Sequence, residues 1–175
     1  MPTPRFHGAT AVLGTKMYMF SGISTDGSKT KSPIIEVYDT KAQQWDRQTF
    51  KMPKNSPEDD FGAAGVNGKI YLFGGRRGAI KGLMVFDPVE GNDQWKMFDA
   101  GPMSEFGIQP MEFATCVLGN LIYAMGIFEG GKTKEDHNYG YRDVIVYDTV
   151  NKKWSEGPPT VRGRGVAMCA VGPSF

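Results

Sequence analysis

Phe61-Gly62-Ala63-Ala64-Gly65-Val66-Asn67-Gly68-Lys69-Ile70-Tyr71-Leu72-Phe73-Gly74-Gly75 is the stretch whose reading decides the fold. Phe61 to Val66 is short and apolar. Asn67-Gly68 is the strongest two-residue hairpin signal, because both central positions of that turn take φ > 0. Lys69 to Phe73 then alternates as a strand does, and Gly74-Gly75 ends it. Downstream, Gly82 to Phe86 reads as a third strand, Asp87-Pro88 as a turn, and Gln94 to Met97 as a fourth strand. Four short antiparallel strands with Gly/Pro turns between them make one blade of a β-propeller.

The same phrase is written three times. The first copy runs Gly14, Tyr18, Gly22, Val37-Tyr38-Asp39, Trp45, Pro53. The second runs Gly68, Tyr71, Gly74-Gly75, Val85-Phe86-Asp87, Trp95, Pro102, and the third Gly119, Tyr123, Gly126, Val146-Tyr147-Asp148, Trp154, Pro158. The chain has three tryptophans, and each copy takes one. A period of roughly 50 residues marks one stacked supersecondary unit. Helical periodicity is nearly absent, and turn residues punctuate the chain as in all-β proteins. A thin blade must bury both faces, and large aromatics supply the most apolar area per residue. Tyr18, Trp45, Tyr71, Trp95, Tyr123 and Trp154 are therefore expected in the core, with Gly74 and Gly75 ending a strand.

These residues resemble the kelch-repeat family. Its marks here are Pro4-Arg5-Phe6-His7-Gly8, the Gly-Gly after the tyrosine strand, the Tyr-Asp and the spaced Trp. The second glycine pair is complete only in the middle copy; the others read Ser21-Gly22 and Gly126-Ile127. The leading Arg is present as Arg5 and near Arg162 or Arg164, while Asp59 and Pro110 stand near that position in the middle copies. The expected fold is all-β, a partial kelch-type β-propeller of about three four-stranded blades. The blades are expected at 5–53, 59–102 and 111–158, within one domain, and 162–172 aligns with the first strand of a fourth copy. The resemblance implies six or seven blades in a ring. Three expectations stay open: a piece of a longer chain, a half-ring that pairs with a second copy into a six-bladed homodimer, and a stable open array.

The chain carries 20 basic and 19 acidic residues with no basic stripe, so nucleic acid is not the expected partner. No apolar run approaches membrane-spanning length, and the N-terminus shows no signal-peptide pattern. Cys116 and Cys169 each precede a hairpin glycine by three residues and read as small core residues. Low cysteine use fits a reducing, cytoplasmic setting.

Gly126 to Thr133 matches the phosphate-loop pattern and follows a strand. That motif works by opening a helix, and residues 134–141 carry no apolar helical face, so a flexible loop is expected. His7 and His137 are the only histidines. Glu135-Asp136-His137 are adjacent on the chain and make a poor chelate, and His7 reads as structural. No metal, no cofactor and no catalytic constellation is expected.

Function on a propeller lives in its loops. The second-to-third-strand loops are expected at Ile23–Pro33, Arg76–Lys81 and Ile127–Arg142. The blade connections are expected at 46–60, 98–109 and 155–162. The resemblance implies that both sets share one face, the usual partner-binding surface. It places Arg76, Arg77, Tyr139, Tyr141 and Arg142 on one rim. Arg and Tyr dominate interface energetics, and Arg76-Arg77 suits an acidic peptide segment. The expected function is a non-catalytic protein-interaction module, as used for substrate recognition by ubiquitin-ligase adaptors or for cytoskeletal binding. The alternatives are a sugar-active kelch enzyme, such as a sialic acid mutarotase, and a truncated non-functional piece.

Overall fold

The structure, a computed structural model, describes residues 1–25, 32–46, 50–54, 56, 59–76, 82–90, 95–99, 109–129 and 140–159. Every regular element among them is a β-strand. The second blade is built as the hairpin signal implies: β8 (Asp59–Val66), β9 (Lys69–Arg76), β10 (Gly82–Phe86) and β11 (Trp95–Asp99) form an antiparallel meander. Asn67 (φ 51°) and Gly68 (φ 76°) both sit in the left-handed region, as a type I′ turn demands. The third blade repeats the order with β12 (Gln109–Leu118), β13 (Leu121–Glu129), β14 (Gly140–Asp148) and β15 (Lys153–Pro159).

The first blade is interrupted. Its inner hairpin is β2 (Ala9–Leu13) and β3 (Lys16–Phe20), continued past a kink by β1 (Arg5–Phe6) and β4 (Ile23–Ser24), which pair with each other. At the kink Ser21 (φ 45°) and Gly22 (φ 93°) adopt the backbone that Gly74 (φ 67°) and Gly75 (φ 106°) adopt in the second blade. A serine in that region is held at a cost on the order of 1 kcal/mol. The third strand is β5 (Ile34–Asp39), and the fourth is split into β6 (Gln44–Trp45) and β7 (Phe50–Lys51), both paired with β5.

Strand alternation sends the two faces of each blade to different neighbours. Tyr18, Phe20, Ile35 and Val37 of the first blade meet Ile70, Leu72, Met84 and Phe86 of the second in one buried cluster. Tyr71, Phe73, Leu83 and Val85 of the second meet Ile122 and Tyr147 of the third in another. The inner strands approach backbone to backbone. A Cβ on Gly65 would lie 2.1 Å from the Val12 carbonyl oxygen, so no side chain fits there. Thr115 Oγ1 donates to the Ala63 carbonyl at 2.7 Å and ties β12 to β8.

The repeated aromatic and tryptophan are cross-strand partners. Tyr38–Trp45, Phe86–Trp95 and Tyr147–Trp154 stand opposite in register, with ring centroids 5.3, 5.0 and 4.8 Å apart. In the second and third blades this pair faces the preceding blade. The tryptophans are lids on these clusters and not their centres: Trp45, Trp95 and Trp154 are all half-buried, as is Tyr123. Tyr18 and Tyr71 are buried. Cys116 occupies the position of the buried Ala11 and Ala64 but is half-buried, and Cys169 lies outside the described residues. The outer faces carry exposed apolar groups, Val12 and Met17 on the first blade and Leu118 on the third.

One ionic cluster is buried. The Arg5 guanidinium pairs with the Glu36 carboxylate, with the two side chains 1% and 4% exposed. Arg5 Nη1 also donates to the Ile34 carbonyl (2.8 Å), Ser32 Oγ (2.9 Å) and the Ser21 carbonyl (3.1 Å). Nε donates to the Thr3 carbonyl (3.2 Å), and Thr3 Oγ1 donates to Glu36 (2.8 Å). All three nitrogens of the planar fork find acceptors in this arrangement, which a single ammonium could not reach, so Arg suits the site better than Lys. By register Glu36 stands where the other blades carry Met84 and Ile145, so among the described residues the cluster belongs to the first blade.

Candidate functional site

In an antiparallel four-strand meander, the starts of the first and third strands share an edge with the ends of the second and fourth. That edge gathers the proposed rim. Arg76 ends β9 and Asp59 opens β8, paired across the ladder. In the third blade the strands run longer than the sequence suggests. Ile127 pairs with Tyr141 and Phe128 with Gly140, so both ends of the expected loop 127–142 are strand. Tyr141 and Arg142 therefore lie on β14 and not in a loop. The register shifts between Met125 and Ile127, which puts a bulge on β14, where Arg142 and Asp143 stand opposite the single residue Gly126. Gly126–Glu129 continue β13 instead of opening a phosphate loop. Arg77 and Tyr139 lie outside the described residues, as do His137 and residues 130–136.

The rim is mixed in charge. Asp59 and Asp60 on β8, Glu129 at the end of β13 and Asp143 on β14 share the edge with Arg76 and Arg142. An acidic residue thus already stands across the ladder from Arg76. Among the described residues no three His, Cys, Asp or Glu side chains stand close enough to hold a metal ion. His7 packs edge-on against Phe6, with centroids 5.1 Å apart.

The opposite edge shows what the repeated Asp does. Asp39 Oδ1 accepts from the backbone N–H of Lys41 and Ala42, both at 2.9 Å. Asp87 Oδ1 accepts from Val89 (3.0 Å) and Glu90 (3.4 Å), and Asp148 Oδ1 from Val150 (2.8 Å) and Asn151 (2.9 Å). Each Asp closes the turn between third and fourth strands as an Asx turn. The Ala42 N–H holds the Asp39 carboxyl below the usual range. The Asn151 N–H does the same for Asp148, and the Lys69 ammonium for Asp87. The first residue of the second strand answers with a lysine. Lys16 bonds Asp46 at 2.6 Å and Lys69 bonds Asp87, and each hydrogen bond raises its lysine's pKa. The third blade has Leu121 there. The signal in the sequence was the invariant last letter of Val-aromatic-Asp, two residues before the turn amides it caps.

A pH dependence follows. A carboxyl whose folded pKa lies below its unfolded value, about 3.9, contributes stability above that pH and loses it as pH falls through the folded value. The melting temperature is expected to hold with respect to these groups above about pH 5 and to fall below about pH 4. The raised lysines contribute below about pH 10 and lose their share above it. Asp39→Asn/Asp148→Asn should flatten the acid decline in a thermal melt series. A wild-type melting temperature unchanged down to about pH 2 would contradict the capping role.

Comparison with known proteins places these elements. A family model described as the KLHDC2/KLHL20/DRC7 kelch-repeats domain matches residues 1–171. A kelch repeat-containing protein of Arabidopsis thaliana is 24% identical over 88% of this chain and 33% of its own length. Alpha-scruin of Limulus polyphemus is 25% identical over 98% of this chain and 18% of its own length. Kelch-like protein 25 of Xenopus tropicalis is 27% identical over 66% of this chain. The chain spans a third or less of the length of these curated relatives. Among solved structures, YjhT superposes with a TM-score of 0.66 at 17% identity, covering 94% of this chain and 55% of that one.

Proposed function

The chain belongs to the kelch-repeat family, and from that premise we propose that it is a non-catalytic protein-interaction module that captures an acidic peptide segment on the rim of its second and third blades. The observation that carries this is the shared edge: the ladders bring Arg76 of β9 and Tyr141-Arg142 of β14 to the same end of adjacent blades. An arginine at a strand end has a rigid base from which to bind a carboxylate with two parallel hydrogen bonds. The acidic residues on the same edge would select sequence and orientation by repulsion, since specificity needs unfavourable pairings as well as favourable ones. One relative, from Gallus gallus, is named a Rab9 effector protein with kelch motifs, and another, from Arabidopsis thaliana, an F-box/kelch-repeat protein. Such names fit a domain whose work is to hold another protein.

The test is selection from a displayed library of acidic peptides against the purified chain. Peptides bearing paired carboxylates are expected to be enriched. Arg76→Ala/Arg77→Ala should weaken them by about tenfold or more, while Lys41→Ala, on an exposed turn of the opposite edge, should change nothing. No acidic enrichment, or equal binding by the double variant, ends this reading.

A further inference from the structure

On the hairpin edge, opposite the proposed rim, two clefts open between blades. The one between the second and third blades has a volume of about 280 Å³. Its lining includes Tyr71, Tyr147, Lys69, Lys96 and Lys152, with Asp87 and Glu90. Tyr71 and Tyr147 are only 7% and 4% exposed, and their rings lie 5.9 Å apart. Among the described residues no protein group hydrogen-bonds either hydroxyl. Buried phenols without partners are rare, because a desolvated O–H is costly to leave unmade. Burial raises both pKa values, so both phenols remain protonated donors.

The charges around these donors do not cancel. Lys69 is taken by Asp87, and Lys96 is 3.8 Å from Glu90 in an exposed pair. Lys152 pairs with no carboxylate among the described residues. Three ammonium groups therefore face two carboxylates, leaving one positive charge beside two O–H donors. The cleft between the first and second blades is a built-in contrast. Its lining has one tyrosine, Tyr18, and one lysine, Lys16, which is neutralised by Asp46. A gap that merely recurs at every blade interface would not carry the second phenol and the spare cation.

We propose that the cleft between the second and third blades binds a small oxyanion, the phosphate or carboxylate of a low-molecular-weight ligand, between the Tyr71 and Tyr147 hydroxyls and the Lys152 and Lys96 ammonium groups. The volume suits one compact anionic group, since drug-sized ligands take pockets of about 300–1,000 Å³. The site is independent of the peptide rim, which lies at the other edge of the same blades.

Inorganic phosphate and acetate are the probes, titrated at fixed ionic strength with chloride as balance and followed by calorimetry and thermal melting. A saturable response to either anion, with a rise in melting temperature, is expected. Tyr71→Phe and Tyr147→Phe should each weaken it by about tenfold, and Lys152→Ala should weaken it by several-fold. Tyr18→Phe, in the other cleft, should leave it unchanged. Without anion, Tyr71→Phe and Tyr147→Phe should melt at the wild-type temperature or above, because each removes an oxygen that the protein does not satisfy. Preference for phosphate over acetate, or the reverse, identifies the ligand group. No saturable response up to tens of millimolar of either anion would overturn the proposal. So would undiminished binding by the double Tyr→Phe variant, or a lowered melting temperature of the Phe variants without anion.

Discussion

Phe86→Ala is expected to cost about 3–5 kcal/mol in urea unfolding, the range for a large aromatic removed from a packed core. Phe86 has 0% exposure and holds the first blade to the second. Its ring lies 6.2 Å from Phe20 and 6.4 Å from Tyr18 on the first blade's inner strand, 5.1 Å from Phe50 and 5.0 Å from Trp95. Truncation would open a cavity that two committed sheets cannot close, because β5 and β10 are each pinned by ladders on both sides. Trp95→Ala should cost less than Phe86→Ala despite its larger side chain, because Trp95 is half-buried and its indole N–H reaches only the Lys51 carbonyl at 3.2 Å. Equal costs, or a Phe86→Ala loss under about 1 kcal/mol, would mean that the two blades do not pack through this ring.

Arg5→Ala is expected to be comparably damaging, again about 3–5 kcal/mol, by a different mechanism. The alanine leaves the Glu36 carboxylate buried without its counter-charge and strips hydrogen bonds from the Ile34 and Ser21 carbonyls. The Ser21 bond matters further, because Ser21 holds a left-handed backbone at the kink. Arg5→Lys keeps the charge but replaces a five-donor fork with a point cation, so it should recover only part of the loss. Arg5→Met/Glu36→Met should be milder than Arg5→Ala alone, since the second blade carries Met84 at the Glu36 position in an apolar setting. A double variant as unstable as the single would show that the carboxylate is not what the arginine neutralises.

Much of the blade was legible locally. Asn67-Gly68 stated its own turn, and β10 occupies Gly82–Phe86, as its β-branched and apolar run implied. The glycine of the hairpin was harder to register. Gly14 and Gly119 occupy the first turn position, whereas in the second copy Asn67 does, so Gly68 sits one residue later. Type II′ turns place glycine first while type I′ takes a positive φ at both positions, so one letter aligned in sequence served two different turns. The third blade's strands ran past the expected ends because pairing between Ile127 and Tyr141 depends on a bulge on β14, where Arg142 and Asp143 oppose the single residue Gly126. The Asx role of Asp39, Asp87 and Asp148 was hidden for the opposite reason: the motif was visible, but its partners are backbone amides that carry no residue signature.

The repeat, the turns and the alternation of apolar residues are properties of neighbouring positions, and the amino-acid sequence by itself determined them. It therefore determined that the chain is made of four-stranded blades stacked through aromatic faces. Which face meets which neighbour was decided only by the tertiary structure. Tyr38 and Phe86 hold the same place in the motif, yet Phe86 is fully buried between two blades while Tyr38 lies half-exposed on an outer face. Glu36, a charge within an apolar strand, reads locally as solvent-facing. It is buried because Arg5, 31 positions earlier, is brought against it by the kink at Ser21-Gly22. The two clefts are alike in their repeated tyrosine and lysine, yet the third blade supplies Tyr147 and Lys152 to one of them, and the other has no second tyrosine or lysine. Burial and electrostatic pairing are set by what stands across an interface, and no local stretch of chain contains its own opposite wall.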